Sequence, residues 1–399
     1  MSGPVVADLG EAGILARITP LLPSGRDVLV GPGDDCAVLA APDGRYCVST
    51  DVLVEGRHFR TDWSSGFDVG ARAAAQNLAD VAAMGAQPVA LVACLVLPGA
   101  TPVDWVVDLA RGMALRCREA GAAIVGGDLS AGEGLVVAVT VHGDLRGRAP
   151  VLRSGARAGE ALVLAGAPGR AAAGLALLEA GWGRPGTGWD SRSGGARRPG
   201  GGDRAGTGAL AGTDAGADPA ASAGTGAVAE TDAVLALAEA CAAAFRAPRP
   251  PLEAGPALAE IGASAMMDVS DSLVRDCSRI ALASGVVIDV DDPDDDCAAL
   301  AADRAQLEGI AALVPGARSA ARGDEDGARP DPRGTARNWV LTGGEDHGVL
   351  ATVPADAVRS LPKGARVIGR VRRAGGEGPG VLVGTRPWSG ARGWDHFRA

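Results

Sequence analysis

The chain has 399 residues, 47% of them apolar, and a formal charge of −10 at pH 7. That length predicts two or three domains, the charge with no basic run argues against a nucleic-acid partner, and no apolar stretch approaches the roughly 18 residues of a membrane span. Met1 to Glu11 lacks the basic-then-apolar pattern of a secretory signal, and seven cysteines without a C-x-x-C pair point to reduced, mostly buried thiols, so a cytoplasmic protein without disulfides or zinc is expected.

Two short strands open the chain. Val28 to Val30 leads into Gly-Pro-Gly-Asp-Asp and Tyr46 to Val48 leads into Ser-Thr-Asp. The alanine-rich segment Asp68 to Met84 predicts a helix capped by Asp68, on which Asn77, Asp80 and Met84 share a face. A strand over Pro88 to Leu97, a helix from Thr101 to about Ala120 that stops at Gly121, a strand Ala122 to Val125 ending in Gly-Gly-Asp, and a strand Leu135 to Val141 complete a first α/β unit. A strand Ala161 to Ala165 and a helix through Ala180 follow. From Gly181 to about Thr231 aliphatic side chains nearly vanish; such a segment buries too little apolar surface to offset chain entropy and is predicted to be a disordered insertion. A second unit then reads as strands at Ala263 to Asp268, Val286 to Val290, Asn338 to Leu341, Val349 to Val353 and Val367 to Val371, with helices over Asp271 to Ala283 and Leu300 to Glu308. Asp291 to Asp296 reads as a solvated turn and Arg318 to Arg337 as a loop.

Five aspartate-bearing segments are spread through these elements: Gly33 to Ala37, Ser49 to Asp51, Asn77 to Asp80, Gly126 to Asp128 and Asp268 to Asp271. Most are expected at the ends of strands, where folds expose chemistry. Carboxylates brought together need cations between them, and Mg²⁺ is held by one or two carboxylates plus substrate phosphates. Lys363 is the only lysine, so neither a Walker A loop nor a protein-kinase strand lysine can exist. Any nucleotide chemistry here relies on metal, arginine and backbone amides.

The segments GPGDDCAVL, STDVLVEGRHF, NLADVAAMGAQP, GGDLSAG, MMDVSDSL, LTGGEDHGVL and GWDHF resemble, in this order, the motifs of thiamine-monophosphate kinases, in the superfamily of aminoimidazole ribonucleotide synthetase. The resemblance implies an α/β (α+β) protein with two domains of aminoimidazole ribonucleotide synthetase-like (PurM-like) fold, residues 1–150 and 151–399, the second carrying the insertion at about 181–231 and the loop at about 318–337. It also implies a homodimer, several Mg²⁺ ions, and direct transfer of a phosphoryl group from ATP to thiamine monophosphate with no covalent phosphoenzyme.

Matched residue by residue, the resemblance implies Mg²⁺ ligation by Asp35, Ser49, Thr50, Asp51, Asp80, Asp128, Asp268 and Asp271. It implies ATP contacts from Gly127, Asp128, Arg153 and Ser270, and substrate contacts from His58, Glu345 and Trp394. These residue types suit such ligands, because an arginine fork grips phosphate oxygens and a cationic thiazolium ring favours an aromatic face and a carboxylate. Singly, each aspartate reads as a cap or turn acid; the ordered set is what points to a site. Two positions depart from the family pattern, His347-Gly348 in place of Tyr-Glu and Pro32 in the first motif. The alternatives are another ATP-dependent synthetase of the superfamily, or a non-catalytic nucleotide- and Mg²⁺-binding homologue.

Overall fold

The computed structural model describes residues 3–30, 37–183, 189–190, 195–196, 221–314 and 331–390. In chain order these form α1 (Val6–Ile18), β1 (Val28–Val30), β2 (Val38–Leu39), β3 (Cys47–Val54), α2 (Gly66–Ala83), β4 (Gln87–Leu97), α3 (Val103–Ala120), β5 (Ala123–Ala131), β6 (Val136–Asp144), β7 (Ala161–Ala165) and α4 (Arg170–Glu179). There follow β8 (Trp189–Asp190), β9 (Gly195–Ala196), α5 (Ala221–Arg246), α6 (Ala254–Glu260), β10 (Ala265–Val269), α7 (Leu273–Ser284), β11 (Val286–Val290) and α8 (Ala301–Leu313). The last are α9 (Pro332–Thr342), β12 (Gly348–Val353), β13 (Ala365–Arg373), β14 (Gly380–Val383) and β15 (Arg386–Pro387).

Two sheets organise the molecule. The first has the order β3-β6-β4-β5, with β4 and β5 parallel and the other pairs antiparallel. The second has the order β10-β12-β7-β13-β11-β14-β15 and is antiparallel except between β11 and β14. Residues pair across the first sheet in rows, such as Asp51, Val139, Ala93 and Gly127. Because neighbours along a strand point to opposite faces, Leu53, Leu91, Val137 and Val139 enter the core while Val48 and Val52 stay exposed on the outer face.

Helix α2 lies between the sheets, against α3, β3 and β6 on one side and β10, β12 and α6 on the other. A helix enclosed this way is buried all round, and nearly every residue from Gly66 to Ala83 is indeed buried. Alanine and glycine suit the position because they let backbones approach. A Cβ on Gly70 would stand 1.9 Å from the Leu109 carbonyl oxygen, and one on Gly112 2.0 Å from that of Phe67, so α2 and α3 meet backbone to backbone. The helix begins at Ser65, whose hydroxyl accepts from the Asp68 N–H while the Asp68 carboxylate accepts from the Ser65 N–H at 2.9 Å, a reciprocal capping box. Asp68 is therefore the partner of the cap, not the cap that the sequence predicts.

Several boundaries differ from expectation. Ser49, Thr50 and Asp51 lie within β3, which continues to Val54, and Gly126 to Asp128 lie within β5; pairing of β3 with β6 and of β5 with β4 carries both strands through their motifs. Asn338 to Leu341 is the end of α9 and not a strand. Asp331 accepts from the Gly334 N–H at 2.9 Å, Pro332 occupies the first turn, and Thr335, Ala336, Val340 and Leu341 are buried at helical spacing. That helix also claims residues 332–337 of the predicted loop, whose remainder before 331 lies outside the described residues. Most of the predicted insertion likewise lies outside them, and its final part, from Ala221, is helix. The Asp291 to Asp296 turn is crosslinked, with Asp292 against Arg337 at 3.0 Å and Asp294 against Arg333 at 3.2 Å.

Gly112→Ala is expected to destabilise the protein by about 1–3 kcal/mol, since the helix pair must separate to admit a methyl group. Gly134→Ala, where a Cβ meets nothing within 4 Å, is expected to stay within about 0.5 kcal/mol of wild type. Urea titration of both variants checks the contrast.

Candidate active site

The buried faces of α2 leave its polar side chains few partners, and those partners define the site. Arg72, Gln76 and Asp80 recur every fourth residue and so lie along one stripe of the helix. Strand alternation brings Ser49 and Asp51 of β3 to the same region, and β10 contributes Asp268, 5% exposed, from the second sheet. The Ser49 hydroxyl donates to Asp80 Oδ2 at 2.7 Å. Burial, then the charges of Asp268 and Asp51, push the Asp80 carboxyl up to about 7. Burial likewise raises Asp51, aided by Asp268 and Glu345 and opposed by His347 and a hydrogen bond from Gln76.

The loop after β10 is fixed from beneath by Asp276. One oxygen of this fully buried carboxylate accepts from the N–H groups of Ser270, Asp271 and Ser272 at 3.1 to 3.2 Å, and the other accepts from Arg279 at 2.6 Å. Arg279 also binds Asp271, with Arg275 at 3.8 Å, so the Asp271 charge is neutralised within α7. The loop before β12 is hydrogen-bonded alongside: the Glu345 N–H donates to the Ser270 carbonyl at 2.8 Å and the His347 N–H to that of Val269 at 2.9 Å. This contact requires Gly344, where a Cβ would stand 2.6 Å from the Ser270 carbonyl oxygen.

His347 then sits between the two acids. Its ring lies 3.5 Å from Asp268 and 3.4 Å from Glu345. Burial opposes its charge, yet these two carboxylates push the imidazole up to about 10. Glu345 is held well below the usual carboxylate range: burial works against its charge, and Arg72, at 2.8 Å, and then His347 outweigh it. Asp346 turns away to accept from the Gly169 and Ala171 N–H groups at 2.6 and 2.8 Å, capping α4, and burial raises it to about 7.

Two cavities flank this cluster. The first, about 530 Å³, is lined by Ser49, Asp80 and Asp268 together with Arg45, Arg153 and Met84. The second, about 520 Å³, is lined by His58, Phe59, Trp63, Arg72, Phe245 and Glu345 among others. His58 Nδ1 accepts from the Val54 N–H at 3.0 Å, so in the neutral ring the proton is on Nε2.

The structure thus brings together Ser49, Asp51, Asp80 and Asp268, places Arg153 beside them, and puts His58 and Glu345 in the adjoining cavity. It does not bring in the other expected site residues that it describes. Thr50 and Asp128 lie on the outer face of the first sheet, where the Thr50 hydroxyl donates to the Val139 carbonyl at 3.0 Å and Asp128 accepts from Ser130 at 2.8 Å. Gly127 is three strands from Asp51 in the same row. Asp271 is engaged by arginine and Ser270 presents its backbone to Asp276 and Glu345. Asp35 and Trp394 lie outside the described residues. Arg72, Gln76 and Asp276 are site residues that the motifs did not single out, and His347, singled out only as a departure from the family pattern, joins them. For Arg72 and Gln76 the visible signal is their four-residue spacing to Asp80 within an alanine run.

The donors at the cluster are all oxygens, as Mg²⁺ requires, and the mutual repulsion of Asp51, Asp80 and Asp268 is what a divalent cation relieves. Among the described residues no three His, Cys, Asp or Glu side chains are set to hold an ion unaided. Phosphate oxygens of a ligand would complete the coordination.

Residues 33–145 match the family model for the N-terminal domain of AIR synthase related proteins. Across 395 residues the chain is 39% identical to the thiamine-monophosphate kinase of Mycobacterium tuberculosis, covering 99% of this chain and 93% of that one. The chain belongs to the thiamine-monophosphate kinase family. Its fold matches the crystal structure of the thiamine-monophosphate kinase from Stenotrophomonas maltophilia K279a with a TM-score of 0.65 and 26% identity over 94% of this chain and 95% of that one. It also matches AaThiL complexed with AMPPCP and TMP, with a TM-score of 0.62 and 24% identity over 98% of each.

Removing one of three mutually repelling acids separates stability from function. In EDTA, Asp80→Asn is expected to melt about 1–2 °C above wild type, the shift of about a 1 kcal/mol gain in a chain of this length. Added Mg²⁺ with a nucleotide is expected to stabilise wild type and leave the variant nearly unmoved; differential scanning calorimetry checks both.

Proposed function

We propose that the protein transfers the γ-phosphoryl group of ATP to thiamine monophosphate, giving thiamine diphosphate and ADP. The observation that carries this is the position of the carboxylate cluster between two cavities of different character. The first, with Arg153 and Arg45 beside Asp80 and Asp268, suits a polyphosphate. The second sets Glu345 and an apolar wall that includes Trp63 and Leu175 beside Arg57, Arg60 and Arg72, a lining that suits an organic ring carrying a phosphate. Family membership and the AaThiL complex with AMPPCP and TMP support the same assignment.

In this reading an oxygen of the thiamine monophosphate phosphate attacks the γ-phosphorus of ATP; a new P–O bond forms and the bond to the ADP oxygen breaks. Both reactants are anionic, so the work is positioning and charge neutralisation. Asp51, Asp80 and Asp268, with Ser49, would hold Mg²⁺, which when bound supplies the positive charge that a lysine supplies in other kinases. Arg153 orients the nucleotide, Glu345 and the apolar wall orient the thiazolium, and Asp276 keeps the Asp268 to Ser272 loop rigid beneath them. Asp35 and Trp394 complete the set, from segments adjoining β1 and the C-terminus. Residues 1–150 and 151–399 form the two domains that meet at α2. A homodimer paired through the outer face of the first sheet covers Val48 and Val52, 62% and 46% exposed, and encloses Thr50 and Asp128 on that face.

Purified protein with ATP, Mg²⁺ and thiamine monophosphate is expected to release ADP and thiamine diphosphate in equal amounts. ATP loss that is independent of thiamine monophosphate contradicts the proposal. Asp51→Asn is expected to lower kcat on the order of 100-fold or more with its circular dichroism spectrum intact.

A further inference from the structure

Arg72 is the largest fully buried side chain among the described residues, 2% exposed, in a helix rich in alanine and glycine. A guanidinium is costly to desolvate unless it is paired. Projecting from α2, Arg72 finds partners in two other elements: it donates to the Phe245 carbonyl of α5 at 3.1 Å, lies with its carbon 4.6 Å from the Phe245 ring centroid, and binds Glu345 Oε2 at 2.8 Å in the loop before β12, while its Nε has no hydrogen-bond partner. A planar group that stacks on a ring while donating in two directions fits this geometry; a lysine ammonium does not.

Glu345 needs such a restraint. Its backbone has φ of 69°, the left-handed region that a residue with a Cβ rarely adopts, and its N–H is tied to Ser270. Arg72 and His347 both contact the same carboxylate oxygen, Oε2. The Glu345 side chain is 31% exposed and lines the second cavity, where the charge of His58 also acts on it.

We propose that Arg72 is a positioning residue for the organic substrate: it anchors Glu345 by one oxygen so that the other faces the cationic ring, and it locks α2 to the loop at that point. The proposal rests on the thiamine monophosphate reading of the second cavity. Its consequence is a split between substrates, because the nucleotide cavity does not include Arg72.

The test measures KM for both substrates in Arg72→Met and Arg72→Lys, and amide hydrogen exchange over residues 343–347. Arg72→Met is expected to raise KM for thiamine monophosphate about tenfold and that for ATP less than about twofold, with Arg72→Lys intermediate. Glu345→Gln is expected to raise the same KM, and the double variant with Arg72→Met to be no worse than Glu345→Gln alone, since one residue acts through the other. Exchange at 343–347 is expected to accelerate in both Arg72 variants. An unchanged KM for thiamine monophosphate, equal effects on both substrates, or additive effects in the double variant overturns the proposal. If wild type makes no thiamine diphosphate, the functional assignment fails by itself, and exchange at 343–347 still decides the anchoring: unchanged rates in Arg72→Met and Arg72→Lys overturn it.

Discussion

Asp51, Asp80 and Asp268 come from a strand, a helix and a second sheet, and they meet where water is scarce enough that burial and their own charges raise Asp51 and carry Asp80 to about 7. Like charges confined in this way oppose the folded state. The surrounding structure is arranged to impose that confinement. Small residues let α2 lie against α3 and against the second sheet, and Asp276 with Arg279 pins the loop that follows Asp268. Strain held by the fold at one place is common at functional sites, where a ligand relieves it.

The same helix sets both sides of the site. Asp80 near its C-terminal end belongs to the cavity with Arg153, and Arg72 two turns earlier belongs to the cavity with Phe245 and Glu345. A phosphoryl donor and an acceptor bound on either side of the cluster are thereby registered to one rigid element. His347 and Arg72 supply the positive charge that balances Glu345 and Asp268, a role for which this chain has no lysine nearby.

Much of this was legible in the sequence for a physical reason. Asp51, Asp80 and Asp268 each read singly as a turn or cap acid, and it is their order along the chain, at the ends of apolar runs and on an alanine-rich helix, that points to one site. What escaped was long-range. The pairing that carries β3 through Asp51 and β5 through Asp128, and so puts Asp128 on the other face, depends on partners tens of residues away. Asn-Trp-Val-Leu at 338–341 has strand composition, and its helix is decided by the Asp331 cap and by burial against the core. Asp271 looked like a ligand beside Asp268 until Arg279 came within reach from the next helical turns. Arg72 carried a signal in its spacing to Gln76 and Asp80, but only the two partners supplied by α5 and the loop before β12 give that spacing a meaning.

If the three carboxylates form a cation site between the two substrates, a metal must be found there when the nucleotide is bound. Crystals grown with Mn²⁺ and a non-hydrolysable ATP analogue test this most directly, through the anomalous signal of the metal. Manganese is expected within about 2.0–2.3 Å of carboxylate oxygens from Asp80 and Asp268, bridging to the analogue's phosphates. An ordered analogue in the first cavity with no manganese at Asp51, Asp80 or Asp268 would contradict such a site.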